Sequence, residues 1–241
     1  MLKSVIKKIR EKISRPEQAF FQDDNILIKN IQEKKLTYLS KAKLISIANT
    51  CRSIEIEQLP GVFIEAGVAL GGSSILISKT KEQTRAFYMY DVFEMIPPPT
   101  KEDTQDVHTR YRTIIEGKSL GIDGDKYYGY QENLHEIVKK NLEDFHVFSP
   151  QDNVFLIKGL LQDTMTINQP VAFAHIDVDW YDPVLTCLKR IFPYLVSGGC
   201  IIIDDYHDWG GCRKACDEYL RTIVGEVKLD DKAGALKIIK K

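Results

Sequence analysis

Between Gly61 and Ser78 the chain reads Gly-Val-Phe-Ile-Glu-Ala-Gly-Val-Ala-Leu-Gly-Gly-Ser-Ser-Ile-Leu-Ile-Ser. A short apolar run, Val62 to Ala66, is broken only by Glu65. Gly67, Gly71 and Gly72 follow, and apolar positions resume at Ile75. That order predicts a buried strand, a tight glycine turn and the start of a helix. Such a turn lets backbone approach a ligand closely and aims free helix N–H groups at it. A nucleotide-like cofactor needs this arrangement.

The spacing then narrows the choice of cofactor. A dinucleotide turn wants G-x-G-x-x-G, whereas here Ala69 stands where the second glycine belongs. No Lys-Ser or Lys-Thr follows Gly72, so a P-loop is excluded as well. An acid at the strand end, Glu65, would repel a phosphate but suits an ammonium group. S-adenosylmethionine carries an ammonium and a sulfonium and no phosphate. Methyl transfer is therefore favoured over hydride or phosphoryl transfer.

Alternating strands and helices continue downstream. Strands are expected at Ala86–Tyr90, Val154–Lys158, Val171–Asp179 and Cys200–Asp205. Helices are expected near Asn133–Leu142, Pro183–Leu195 and Arg213–Thr222. The segments Val224–Leu229 and Ala235–Ile239 read as a closing antiparallel pair. The pattern predicts an α/β fold with a doubly wound, mostly parallel seven-stranded sheet. Residues 1–60 read as an N-terminal helical extension and 61–241 as the cofactor-binding domain. Within the latter, the polar stretch of about 93–130 follows a strand end and is a lid candidate. Tyr111, Tyr127, Tyr128 and Tyr130 in it are equally suited to stacking on a flat acceptor and to packing.

Leu2, Val5, Ile6, Ile9 and Ile13 recur at helical spacing among basic residues. This helix is expected to dock on its own domain or on a second subunit, giving a homo-oligomer, rather than on a membrane surface. A net charge of −1 offers nothing to nucleic acid. No apolar run approaches the roughly 20 residues that span a bilayer, and no signal peptide is visible. Five cysteines without a C-x-x-C pair read as reduced thiols of a cytoplasmic protein.

Acids gather at the predicted strand ends. Asp91 ends the second strand, where ribose hydroxyls are gripped in nucleotide-binding units. Asp177 and Asp179 end the fourth and Asp204 and Asp205 the fifth. Adjacent carboxylates on one sheet edge repel unless a cation or proton intervenes, and an all-oxygen cluster suits a hard divalent ion, magnesium first. Capping roles for Asp179, Asp204 or Asp205 are the structural alternative.

Taken together, these blocks resemble the macrocin O-methyltransferase family (the TylF/MycF type). The likeness rests on Leu36-Thr-Tyr-Leu39, Pro60 to Ser73, Tyr90-Asp-Val-Phe-Glu94, Lys158-Gly159 with Asp163-Thr164, His175 to Tyr181, Ser197-Gly-Gly199 and Ile203-Asp-Asp-Tyr206. The resemblance implies an S-adenosylmethionine- and Mg2+-dependent O-methyltransferase acting on a sugar-containing hydroxyl acceptor. It implies that Glu65, Gly67, Gly71, Gly72 and Ser73 line the methionine half of the cofactor, that Asp91 binds the ribose, and that Gly159, Leu160 and Asp163 lie beside the adenine. It implies further that Asp177, Asp204 and Asp205 hold the metal. The family usually has Asp-Gly-Asp where this chain has Asp177-Val178-Asp179. Asp177 and His207 are the two candidates for the base that takes the acceptor proton. A catechol-like diol as acceptor, and a non-catalytic S-adenosylmethionine-binding protein, are the competing readings.

Overall fold

A computed structural model of the protein describes residues 23–241. The basic amphipathic helix read at the N-terminus lies outside the described residues.

Seven strands form one sheet: β1 (Val62–Ala66), β2 (Phe87–Asp91), β3 (Val154–Lys158), β4 (Val171–Ile176), β5 (Leu195–Ile203), β6 (Val227–Asp230) and β7 (Leu236–Lys240). Their spatial order is β3-β2-β1-β4-β5-β7-β6. β1 to β5 pair in parallel, and β7 inserts antiparallel to both β5 and β6. The order reverses direction between β1 and β4. Ligands of open α/β sheets bind beyond the strand tips at such a point.

The strand interiors are apolar because both faces are covered. Side chains alternate between two cores. Phe63, Phe87, Phe173 and Ile202 face one, together with helices 23–33 (α1), α2 (Lys41–Ile56), α3 (Gly72–Thr80) and α5 (Leu134–Asp144). Ile64, Ala174, Ile176 and Ile201 face the other, with α6 (Leu161–Thr164), α7 (Tyr181–Ile191) and α8 (Gly210–Leu220). Ile28 and Ile31 of α1 and Leu44, Ile47 and Cys51 of α2 are buried in the first core, so the residues before β1 complete the sheet's cover. All five cysteines are free and buried. No helix among the described residues is long and apolar enough to cross a membrane.

Several boundaries differ from the sequence reading. β4 ends at Ile176, and Asp177 and Asp179 lie in the turn beyond it. β5 begins at Leu195 and takes the expected Ser197–Gly199 turn into itself as a bulge, where its register against β4 jumps. Asp204 and Asp205 start a 3-10 turn, Asp204–Tyr206. The polar stretch of about 93–130 contains a helix, α4 (Gln105–Ile115), whose buried Val107 and Ile114 stand two turns apart among polar residues.

Candidate functional site

The glycine turn follows from its close contacts. Gly67 has φ 86°, and a Cβ there would lie 1.8 Å from the carbonyl oxygen of Asp177. Only a residue without a side chain lets the β1 tip sit this close to the β4 tip. Asp177 N–H donates to Ala66 O at 2.8 Å and locks the approach. Gly71 caps α3 in the left-handed region with φ 88°, and a Cβ on Gly72 would collide with Leu36 O.

Alternation also decides where Glu65 points. It shares the face of Phe63, away from Ile64 and Ala66, and stands opposite His175 in register. Its carboxylate is fully buried, accepts the Ser74 hydroxyl of α3, and lies 2.9 Å from His175 Nδ1. Burial opposes an imidazolium at His175, but the Glu65 contact outweighs it and raises the pKa. Glu65 is thus spent beneath the turn and is not among the residues lining the cavity described next. Gly71, Gly72, Ser73 and Asp163 likewise support that cavity without lining it.

The cavity has a volume of about 660 Å³ and joins the glycine turn to the acid-bearing strand tips. Gly67, Asp91, Gly159 and Leu160 line it. Asp91 accepts backbone N–H groups from Val68 (2.7 Å), Ala69 (3.2 Å) and Phe93 (2.6 Å). Burial raises its pKa against the pull of those three donors. Asp177, Asp179, Asp204, Asp205 and Asp208 line the cavity as well, Asp177 directly beside Gly67. Ala69, Phe93 and Asp179 all hold positive φ without being glycine. Such strain gathers where a site over-determines its backbone. Val178, in the place of the family's usual glycine, has no positive φ; the strained residue of this turn is Asp179, with φ 58°.

The carboxylates divide into two overlapping groups. Oxygens of Asp177, Asp179 and Asp205 lie within 4.8 Å of one another, and so do those of Asp204, Asp205 and Asp208. Burial, then the Asp204 charge, pushes Asp177 up to about 8. Burial pushes Asp179 up to about 6, and burial with the neighbouring Asp179 charge raises Asp205. Lys43 of α2 reaches the second group: its Nζ lies 2.9 Å from Asp204 Oδ2 and 3.0 Å from Asp208 Oδ2. The other Asp204 oxygen, Oδ1, is buried and has no hydrogen-bond partner. A buried bare oxygen beside crowded, proton-hungry carboxylates fits a hard divalent cation.

The stretch 93–130 forms the far wall through Ile96, Pro97, Pro98, Arg110, Ile114, Tyr127 and Tyr128, and Tyr38 adds to it from before α2. The Arg110 guanidinium lies 5.6 Å from the Tyr127 ring centre. Tyr130 packs instead, donating its hydroxyl to Ile114 O, and Tyr111 does not line the cavity. The wall is fastened to the helices that follow β4 and β5. Neither Trp180 nor Trp209, the N-cap residues of α7 and α8, makes a side-chain cap. Asp103 accepts from Tyr181 N–H at 2.8 Å, and Asp106 accepts from Gly210 N–H at 3.0 Å. Both first-turn donors are therefore satisfied, at the positive ends of the helix dipoles, by carboxylates from the wall. Trp180 Nε1 donates to Pro97 O at 3.0 Å.

His207 stands apart. It is partly exposed, its Nε2 is 3.8 Å from Asp231 Oδ2, and it does not line the cavity. Lys43, Tyr38, Arg110 and Asp208 were not singled out from sequence. The Lys43 contact spans 161 positions to Asp204, and no local pattern marks it.

Known proteins place this architecture. The family model described as macrocin O-methyltransferase matches residues 6–231. The 8-demethyl-8-(2,3-dimethoxy-alpha-L-rhamnosyl)-tetracenomycin-C 4'-O-methyltransferase of Streptomyces olivaceus is 25% identical over 189 residues, 76% of this chain and 67% of that protein. The mycinamicin III 3''-O-methyltransferase of Micromonospora griseorubida is 24% identical over 194 residues, 76% of this chain and 69% of that one. Among solved structures, the O-methyltransferase NovP superposes with a TM-score of 0.70 at 20% identity, covering 86% of this chain and 82% of its own. The calicheamicin methyltransferase CalS11 superposes at 0.57 and 18%, covering 93% and 92%.

Proposed function

Because the chain belongs to the macrocin O-methyltransferase family, we propose that it transfers the methyl group of S-adenosylmethionine to a hydroxyl of a sugar or glycosylated metabolite, with Mg2+ at the aspartate cluster. One observation carries this reading. A single cavity runs from the glycine turn to the carboxylates, so a donor at one end and an acceptor hydroxyl at the other share one space.

At the donor end, Gly67 gives the cofactor access to backbone, and Asp91 serves the ribose while tying the turn at Val68 and Ala69. Gly159 and Leu160 border the adenine. Glu65 acts from beneath: with Ser74 and His175 it binds the β1 tip to α3 and β4. At the acceptor end, Asp177, Asp204 and Asp205 supply the metal ligands, with the bare Asp204 Oδ1 among their oxygens and Asp179 adjoining. A dication held there would make a bound hydroxyl more acidic and offset the negative charge around it. Asp177 would accept the hydroxyl proton, and S-adenosylmethionine would supply the methyl group that the hydroxyl oxygen takes, leaving as S-adenosylhomocysteine. Asp177 directly follows β4 and is tied by its N–H to Ala66, beside Gly67, which would keep proton acceptor and methyl donor in fixed relation and supply much of the acceleration. His207 does not face this space and takes no part. Tyr38, Tyr127 and the prolines of the wall offer flat surfaces to an acceptor ring.

Calorimetry with S-adenosylhomocysteine, followed by turnover of glycosylated and catechol-type acceptors in magnesium or chelator, tests the reading. The Asp205→Asn variant is expected to bind S-adenosylhomocysteine as the wild type does and to lose turnover. Full turnover in excess chelator would remove the metal from the mechanism, and failure to bind S-adenosylhomocysteine would remove the donor.

A further inference from the structure

Lys43 touches the cluster without a direct part in the proposed reaction. It stands on α2, far along the chain from the aspartates, yet its side chain is only 14% exposed. Its ammonium has three donors, and three acceptors take them: Asp204 Oδ2 at 2.9 Å, Asp204 O at 3.2 Å and Asp208 Oδ2 at 3.0 Å. No donor is left for an acceptor hydroxyl. Two of the three contacts hold Asp204, through one carboxylate oxygen and the residue's own backbone carbonyl. The second oxygen of that carboxylate stays buried and unpartnered.

Two carboxylate groups compete for a cation in this cluster, Asp177/Asp179/Asp205 and Asp204/Asp205/Asp208. The ammonium of Lys43 fills the second. We infer that Lys43 is a positioning residue for the metal site: it occupies the Asp204–Asp208 side, fixes the Asp204 carboxylate, and so directs a divalent cation to the Asp177–Asp205 side. The inference rests on the metal reading proposed above. It differs from simple charge balance in sign. A lysine that only offsets negative charge weakens binding of a dication, so removing it should tighten binding. A lysine that orients a ligand oxygen strengthens binding, so removing it should weaken it. Groups that orient metal ligands are typically worth about 10- to 100-fold in metal affinity.

The test is Mn2+ binding followed by electron paramagnetic resonance on the intact chain, in the wild type and in Lys43→Met and Lys43→Arg. Melting temperature and S-adenosylhomocysteine affinity are read on the same samples. Lys43→Met is expected to bind Mn2+ at least roughly tenfold more weakly, with unchanged cofactor affinity and a lower melting temperature from the lost ion pair. Lys43→Arg keeps a cation with donors for both carboxylates and is expected to recover most of the loss. Equal or tighter Mn2+ binding by Lys43→Met overturns the positioning role in favour of charge balance. A fall in melting temperature and cofactor affinity that accounts for the weaker Mn2+ binding overturns it in favour of a structural tie between α2 and the turn after β5. Absence of Mn2+ binding by the wild type overturns the metal reading itself, and the role of Lys43 with it.

Discussion

Raising the pH of the metal-free protein should destabilise it between pH 6 and 8, the reverse of what an ordinary ion-paired carboxylate would do. Asp177 has its pKa raised from 3.8 to about 8, by burial and then by the Asp204 charge. In the unfolded chain this carboxyl has already lost its proton at pH 6, whereas the folded protein still holds it. Stability falls with pH wherever the folded state binds more protons. The contribution is complete below the unfolded pKa and is lost as pH rises through the folded one. Each unit within the window is worth about 1.4 kcal/mol, so a folded pKa near 8 gives a loss of roughly 2 kcal/mol from pH 6 to 8. Asp205 and His175, both raised, act in the same direction. Lys81, lowered to about 8 by burial, opposes the trend mainly above that pH. For a chain of this size the loss corresponds to a fall in melting temperature of roughly 4–8 °C. Differential scanning fluorimetry in chelator across pH 6, 7 and 8 measures it, and saturating Mg2+ is expected to flatten the slope. A melting temperature that is level or rising over that range in chelator would refute the argument from crowded carboxylates. A slope that survives in magnesium would leave the crowding intact and remove the cation.

Three further outcomes follow from the geometry. Asp91→Ala is expected to weaken S-adenosylhomocysteine binding by about 2–4 kcal/mol, through lost hydrogen bonds to a charged acceptor; unchanged affinity by calorimetry would take Asp91 out of the site. Glu65→Ala strips the buried His175 of its partner and is expected to lower unfolding free energy by about 3–5 kcal/mol, read by chemical denaturation; a change under about 1 kcal/mol would show that the pair contributes little. His207→Ala alters a partly exposed side chain outside the cavity and is expected to keep turnover within roughly twofold, the range of a surface change. A nearly inactive His207→Ala with normal cofactor and metal binding would return the base role to the imidazole.

Much of the fold was legible because parallel strands covered on both faces are written as apolar runs ending in glycine or acid. β1, β2 and β3 fall where those runs fall. The strand tips read at Asp179 and Asp205 come earlier, because the acids belong to the turns that follow β4 and β5. Glu65 shows a subtler limit. Its place at a strand end suggested a ligand contact, whereas period-two alternation sends it to the α3 face with Phe63, against Ser74 and His175. His207 lies outside the cavity for a local reason as well. It follows the 3-10 turn Asp204–Tyr206, and its ring packs edge-on against Tyr206 and faces Asp231, so proximity in sequence to Asp205 does not bring it to the cavity. Lys43, Asp103 and Asp106 were out of reach in another sense. Each acts across 75 or more positions, and in one sequence each looks like any solvated charge.

The caps that Asp103 and Asp106 place on α7 and α8 bear on how such an enzyme can change its substrate. The segment that forms the far wall of the cavity is also the segment that finishes two helices following β4 and β5. It cannot be lengthened, shortened or exchanged as a cassette without leaving the Tyr181 and Gly210 N–H groups bare and loosening the turns that carry the aspartates. Side chains on its inner surface, such as Ile96, Ile114 and Tyr127, carry no such duty towards α7 or α8. Acceptor range in this scaffold should therefore drift by repainting a fixed wall, one residue at a time, while the wall's course through space is inherited with the chemistry.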